Sequence, residues 1–226
     1  FTTQPADASE CPGSNTSFSI VTTGVSPTYQ WFENQGSGWA QLSDAGVYSG
    51  ANTSVLNISD VSGLDGYSYQ CVAYGCGSSD TSNVATINLL SIPTVITNPV
   101  DVVECDGSSA SFAIAAIGSS PSYQWYVNQG SGWTPLSNAG VYSDVTTNTL
   151  NISDVTGLDG YQYLCVVSAC NVDDTSAAAT VTLHAAPVIT THPTDIIACS
   201  GGTSFSIAAT GTAMTYQWYE NQGSGW

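Results

Sequence analysis

The sequence predicts an all-β fold: a tandem of β-sandwich domains, two complete and a third that stops partway. Three observations predict it. A long segment recurs, with YQWFENQGSGW at Tyr29–Trp39 returning at Tyr123–Trp133 and Tyr216–Trp226, and LNISDVSGLDGYSYQC at Leu56–Cys71 returning at Leu150–Cys165. Short runs that alternate apolar and polar residues are punctuated by turn residues. No window sustains the 3.6-residue period of a helix.

Cys11, Cys105 and Cys199 lie 94 residues apart, as do Pro5, Pro99 and Pro193. A unit of that length is a whole sandwich, not a rung of a solenoid. The implied domains are 1–92, 93–186 and a partial 187–226 carrying the first three strands only. Pro93 and Pro187 mark the junctions, with no Gly/Ser-rich linker at either. Inside the unit, Phe18 and Ile20 alternate in the first strong strand. Tyr29 and Trp31 alternate in the next, which returns through NQGSG to Trp39–Leu42 as a hairpin. Leu56 and Ile58 point one way and Asn57 the other. Tyr67, Tyr69, Cys71 and Ala73 alternate again, and a last strand covers Asn83–Leu89.

These landmarks resemble the immunoglobulin fold, and its intermediate set most of all. Trp31 and Trp125 take the place of the buried tryptophan on strand C. Leu56, Asp65, Tyr69 and Cys71 resemble the passage from strand E to strand F, with a tyrosine corner at Tyr69; Leu150, Asp159, Tyr163 and Cys165 repeat it. The chain departs from the pattern at Ile20, Ile114 and Ile207, which stand where strand B carries its cysteine, so the usual B–F disulfide has no partner. Cys71 and Cys165 are then expected as buried thiols against the tryptophans. The three-cysteine unit, ECxG early and CVxxxC late, resembles Ig-like repeats of surface adhesins and filament proteins of Bacteroidota-type bacteria. That resemblance implies secretion, tandem display and a stalk or adhesive role.

The same mapping puts Cys11 at the bottom of its sandwich and Cys76 at the top. At ~3.3 Å per strand residue they stand roughly 30 Å apart, against the ~7 Å between Cα atoms that a disulfide tolerates. Head-to-tail stacking would instead pair Cys11 with Cys170, and Cys105 with the corresponding cysteine of a complete third repeat, to which Cys199 also belongs. A bond within one domain, Cys11 to Cys76, remains open if strand A runs differently.

Charge excludes several function classes. The chain has 17 acidic residues, no Lys and no Arg, for a net charge of −17. Nothing can neutralise a phosphate backbone or an anionic membrane surface, so neither nucleic acid nor direct membrane insertion is expected. No apolar run approaches the ~20 residues of a membrane-spanning helix. Only His184 and His192 are available as bases, and their repeat counterparts Leu90, Asn98 and Gln4 are not histidines. No catalytic residue, cofactor or metal site is therefore assigned. One surface feature recurs: with Tyr29 and Trp31 inward, Gln30 and Phe32 face out, and Phe32, Tyr74, Tyr126 and Tyr219 form a candidate lateral contact face. The expected role is a structural segment of an extracellular filament or adhesin stalk at the cell surface, with other copies of the chain as partners. A module binding glycan or a surface protein, and an accessory array of a secreted hydrolase, are the alternatives.

Overall fold

Every regular element is a β-strand in the computed structural model, which describes residues 1–199 and 201–223. Trp226, the end of the third YQWYENQGSGW segment, lies outside the described residues. The chain divides into two compact units.

The first unit comprises Phe1–Thr94 together with Ile117–Pro121 and Ser168–Asp174. Its strands are β1 (Ala8–Glu10), β2 (Thr16–Ser19), β3 (Thr28–Asn34), β4 (Trp39–Gln41), β5 (Tyr48–Ser49), β6 (Val55–Ile58), β7 (Ser68–Gly75), β8 (Ser78–Thr81) and β9 (Ala85–Leu89). One sheet runs β1-β9-β7-β3-β4, with β8 on β7; the other runs β2-β6-β5. The first strand is parallel to the last, Ala8 opposite Ile87, while β3 and β7 are antiparallel with Trp31 opposite Cys71. Alternation fills the space between the sheets, because every second residue of each strand points inward. Phe18, Leu56 and Ile58 come from one sheet, and Trp31, Tyr69, Cys71 and Ile87 from the other, all essentially inaccessible. The Phe18 and Tyr69 rings stack at 5.0 Å. Where the chain passes from β8 to β9, Ser82 Oγ accepts from the Cys71 amide at 2.9 Å and donates to the Asn83 carbonyl, so the interrupted ladder strands no buried donor.

The second unit comprises Val95–Ala116, Ser122–Val167 and Thr175–Trp226. The remaining strands are β10 (Thr94–Thr97), β11 (Val102–Cys105), β12 (Ala110–Ala113), β13 (Ala115–Ile117), β14 (Ser122–Asn128), β15 (Trp133–Pro135), β16 (Tyr142–Ser143), β17 (Thr149–Ile152), β18 (Gln162–Ala169), β19 (Val172–Thr175), β20 (Ala179–His184), β21 (Val188–Thr191) and β22 (Ala208–Thr210), of which Thr94, Ile117, the end of β18 from Ser168 and β19 up to Asp174 belong to the first unit. Sheets β11-β20-β18-β14-β15 and β12-β17-β16 repeat the arrangement of the first repeat. Trp125, Phe112, Leu150, Tyr163 and Cys165 repeat its core.

The third repeat departs from expectation. Among its described residues only β21 and β22 form, paired with each other as β10 pairs with β13; the segment from Tyr216 that should be strand C is not a strand there. In the complete repeats that strand is held by a ladder to the strand carrying Cys71 or Cys165. Its described aromatics stay out of any core. Phe205 is 54% exposed and Trp218 51%, against 1% for Phe18 and 0% for Trp31.

Candidate functional site

Two recurring turns place the exposed cysteines. Gly75 and Ser78 close the β7–β8 hairpin around Cys76 and Gly77, which have φ of 49° and 78°. A two-residue hairpin loop with both residues left-handed matches the right-handed twist of its strands. The β18–β19 hairpin uses Cys170 and Asn171 at φ 53° and 57°. The second turn follows β1 and β11. Ser14 N–H donates to the Cys11 carbonyl at 3.1 Å and Gly13 N–H to Ser62 Oγ at 2.9 Å. Ser108 N–H donates likewise to Cys105, and Gly107 N–H to Thr156 Oγ1. Asp60 and Asp154 accept from Ser62 and Thr156, which holds both carboxyls below the usual aspartate range.

A disulfide joins Cys11 to Cys170, Cα atoms 5.3 Å apart and 159 residues apart in sequence. Cys76 is not its partner and is an exposed free thiol, as are Cys105 and Cys199. Within the first unit, Ser119 N–H donates to the Ser91 carbonyl at 3.0 Å and Ser91 N–H to Ser119 Oγ at 2.8 Å. Gly118, at φ +147°, leaves so little room that a Cβ there would lie 3.1 Å from Pro93 Cα. Gly211 stands against Pro187 in the same way, and Thr212 N–H donates to the Ala185 carbonyl at 3.1 Å.

Cys71, opposite Trp31, and Cys165, in one core with Trp125, are buried. Burial pushes both thiols up to about 11. A thiol pKa raised by folding contributes stability that is complete below the unfolded value and is lost as pH climbs toward the folded one, so this contribution fades between about pH 8.5 and pH 11. A thiol reagent at pH 8 is expected to label Cys76, Cys105 and Cys199 in the folded protein, and to reach Cys71 and Cys165 only with denaturant. Rapid labelling of Cys71 without denaturant would contradict their burial.

The outward placement of Gln30 needs correction. Gln30 does not face solvent: it is 7% exposed, and its Nε2 donates to the Trp31 and Leu42 carbonyls at 2.8 Å while Gln41 and Asn52 donate to its Oε1. Gln124 makes the same two backbone bonds. The signal was present, since glutamine precedes the tryptophan in all three repeats, but alternation gives a face and not its depth. Phe32 and Tyr126 are half-buried, Tyr74 is 43% and Tyr219 71% exposed. Phe32 lies opposite Gln70 and Tyr74 opposite Thr28 on the β3–β7 ladder, with Gln30 and Val72 paired between them. The Tyr69 hydroxyl also departs from the corner geometry, pairing at 3.2 Å with that of Tyr48, which donates to Glu33. Burial is the main cause that pushes Tyr69 up to about 12 and Tyr48 higher still.

His184 Nδ1 meets Thr212 Oγ1 at 2.8 Å and His192 is exposed; among the described residues no cluster of His, Cys, Asp or Glu could hold a metal. No described helix is long and apolar enough to cross a membrane.

Residues 93–183 match the immunoglobulin I-set domain model. The all-β architecture is a tandem of immunoglobulin-like sandwiches, and an I-band fragment of titin shares it. That fragment has a TM-score of 0.62 at 16% identity, over 84% of this chain and 67% of the titin chain. Among curated proteins, endoglucanase C of Cellulomonas fimi is 34% identical over 111 residues, 48% of this chain and 10% of the enzyme. The human netrin receptor DCC is 30% identical over 207 residues, 86% of this chain and 14% of the receptor. The chain thus spans only a small share of the curated proteins it matches. The I-set match covers the second repeat, whose landmarks Trp125, Tyr163 and Cys165 the first repeat duplicates.

Proposed function

We propose that the chain is a structural repeat segment of an extracellular filament or adhesin stalk at a bacterial cell surface, with modules 1–92, 93–186 and a partial 187–226. The observation that carries this reading is the Cys11–Cys170 disulfide, which ties one repeat to the next. Disulfides persist in oxidising, extracellular settings, and a covalent tie between repeats serves a load-bearing rod more than a recognition site. Near-identical repeats point the same way, because a dedicated binding surface needs to occur only once. The partners of this reading are further copies of the chain. Electron microscopy of the native particle tests it: regular fibres or stalks with an axial repeat of one sandwich are expected, and isolated globular particles would overturn it.

The endoglucanase C likeness favours a second reading, an accessory array of a secreted hydrolase. The same preparation distinguishes the two. Cellulose hydrolysis that co-purifies with the polypeptide carrying these repeats supports the second reading, and its absence from intact fibres supports the first.

A further inference from the structure

Asn15, Asn52, Asn57 and Asn151 each begin an Asn-x-Ser segment with no proline between, the acceptor motif for N-linked glycan. The fold separates them. Asn52 commits its amide inward, its Nδ2 donating to Gln30 Oε1 at 2.7 Å. Its counterpart in the second repeat is Thr146, and that of Asn15 is Ser109, so neither motif recurs. Asn57 does recur, as Asn151. Both lie in the middle strand of a three-stranded sheet, β6 between β2 and β5, and β17 between β12 and β16. The pleat turns Leu56 and Ile58 into the core and Asn57 outward, and it treats Leu150, Ile152 and Asn151 alike. Exposed serines flank each asparagine: Ser17 and Ser49 lie opposite Asn57, and Ser111 and Ser143 opposite Asn151. Each row crosses all three strands of its sheet, lies in a shallow groove, and holds no side chain larger than the asparagine.

We infer that Asn57 and Asn151 are glycosylation sites, each joined through Nδ2 to an oligosaccharide that lies over the outer face of its three-stranded sheet. The donor is an oligosaccharide linked to a polyprenyl diphosphate. The carboxamide nitrogen bonds to the anomeric carbon, and the bond from that carbon to the diphosphate oxygen breaks. The diphosphate leaves with the electron pair, and one amide proton passes to a base of the transferase. The linked amide keeps one N–H, enough for Asn151 to go on donating to Asp144 Oδ2, a bond of 2.7 Å. The fold also sets the order of events. Ser59 Oγ donates to the Val47 carbonyl and Ser153 Oγ to the Val141 carbonyl, both at 3.3 Å. Each asparagine is laddered on both sides, so neither the backbone nor the hydroxyl of the motif is open to a transferase once the sheet has closed. Transfer therefore precedes the pairing of β6 and β17, and the outward row of small side chains leaves the folded sheet room for the sugar.

The inference goes beyond the stalk reading and takes from it only that the chain is secreted. Its test is peptide mapping of the polypeptide from its producing organism. Trypsin has no site, so a protease specific for acidic residues is used. Electron-transfer fragmentation, which keeps sugars on their side chains, then places any added mass. The expected result is a hexose-containing mass on Asn57 and on Asn151, and none on Asn52. In the same organism Asn57→Gln should remove one glycan per chain and Asn151→Gln the other. Ser59→Ala should strip Asn57 while leaving the asparagine in place. Bare Asn57 and Asn151, or sugar on the Ser59 and Ser153 hydroxyls instead, overturn the inference. Regular fibres with bare asparagines would leave the stalk reading standing, and glycosylated asparagines on isolated globular particles would do the reverse.

Discussion

Replacing Trp31 with alanine is expected to destabilise the first repeat by about 3–5 kcal/mol, the usual range for deleting a buried tryptophan. The indole is 0% exposed, lies opposite Cys71, sits 6.4 Å from the Phe18 ring, and donates Nε1–H to the Thr53 carbonyl at 3.0 Å. Alanine removes all of this and leaves a cavity between two sheets whose separation is fixed by Leu56, Ile58 and Ile87. A domain of this size has only about 5–15 kcal/mol in total, and near 4–8 °C of Tm accompanies each kcal/mol. Calorimetry should therefore show one transition lowered by more than about 12 °C. Trp125→Ala should do the same to the second repeat, since Trp125 is equally buried and donates to Thr147 at 2.9 Å. A shift of only a few degrees in either variant would refute the central role given to the tryptophan. Trp31→Phe, which keeps a ring but loses the indole donor, should fall between alanine and wild type.

The core was legible because local pattern and repetition agreed. Trp31, Tyr69 and Cys71 alternate on strands whose spacing survives in the second copy, and each side chain's inward direction follows from the pleat alone. Gln30 was misread because depth on the outer face depends on Gln41 and Asn52, which are remote in sequence and arrive only with the hairpin and the turn before β6. Tyr69 lost its expected partner for a similar reason: Tyr48, from the opposite sheet, reaches its hydroxyl first. Strand C of the third repeat shows the limit from the other side. Its sequence is nearly that of β3, yet residues 216–220 form no strand, so strand propensity alone yields none. The cysteine junction depends on no local pattern. It was legible through the strand mapping that the landmarks imply, which puts Cys11 and Cys76 at opposite ends of one sandwich and makes Cys170 the expected partner, and the disulfide joins that pair.

Reducing the Cys11–Cys170 bond is expected to have the largest effect of all. The bond closes a separation of 159 residues, and in the chain-entropy account a loop of that length restricts the unfolded state by about 5 kcal/mol. Guanidinium unfolding with and without a phosphine reductant measures the loss. Cys170→Ser should reproduce it in the absence of reductant, while Cys76→Ser, which removes only an exposed free thiol, should change stability by less than about 0.5 kcal/mol. Under mechanical load the consequence is larger. Tension applied at the chain ends passes from Cys11 through the sulfur bridge to Cys170, so the residues between them carry none of it. In single-molecule stretching the oxidised protein should release little length, because both complete cores lie mostly inside the bridged span. After reduction the same pull should release the intervening chain, about 55 nm at ~3.5 Å per residue. Equal extension with and without reductant would mean that the bond bears no load, and the stalk reading would lose its main physical support.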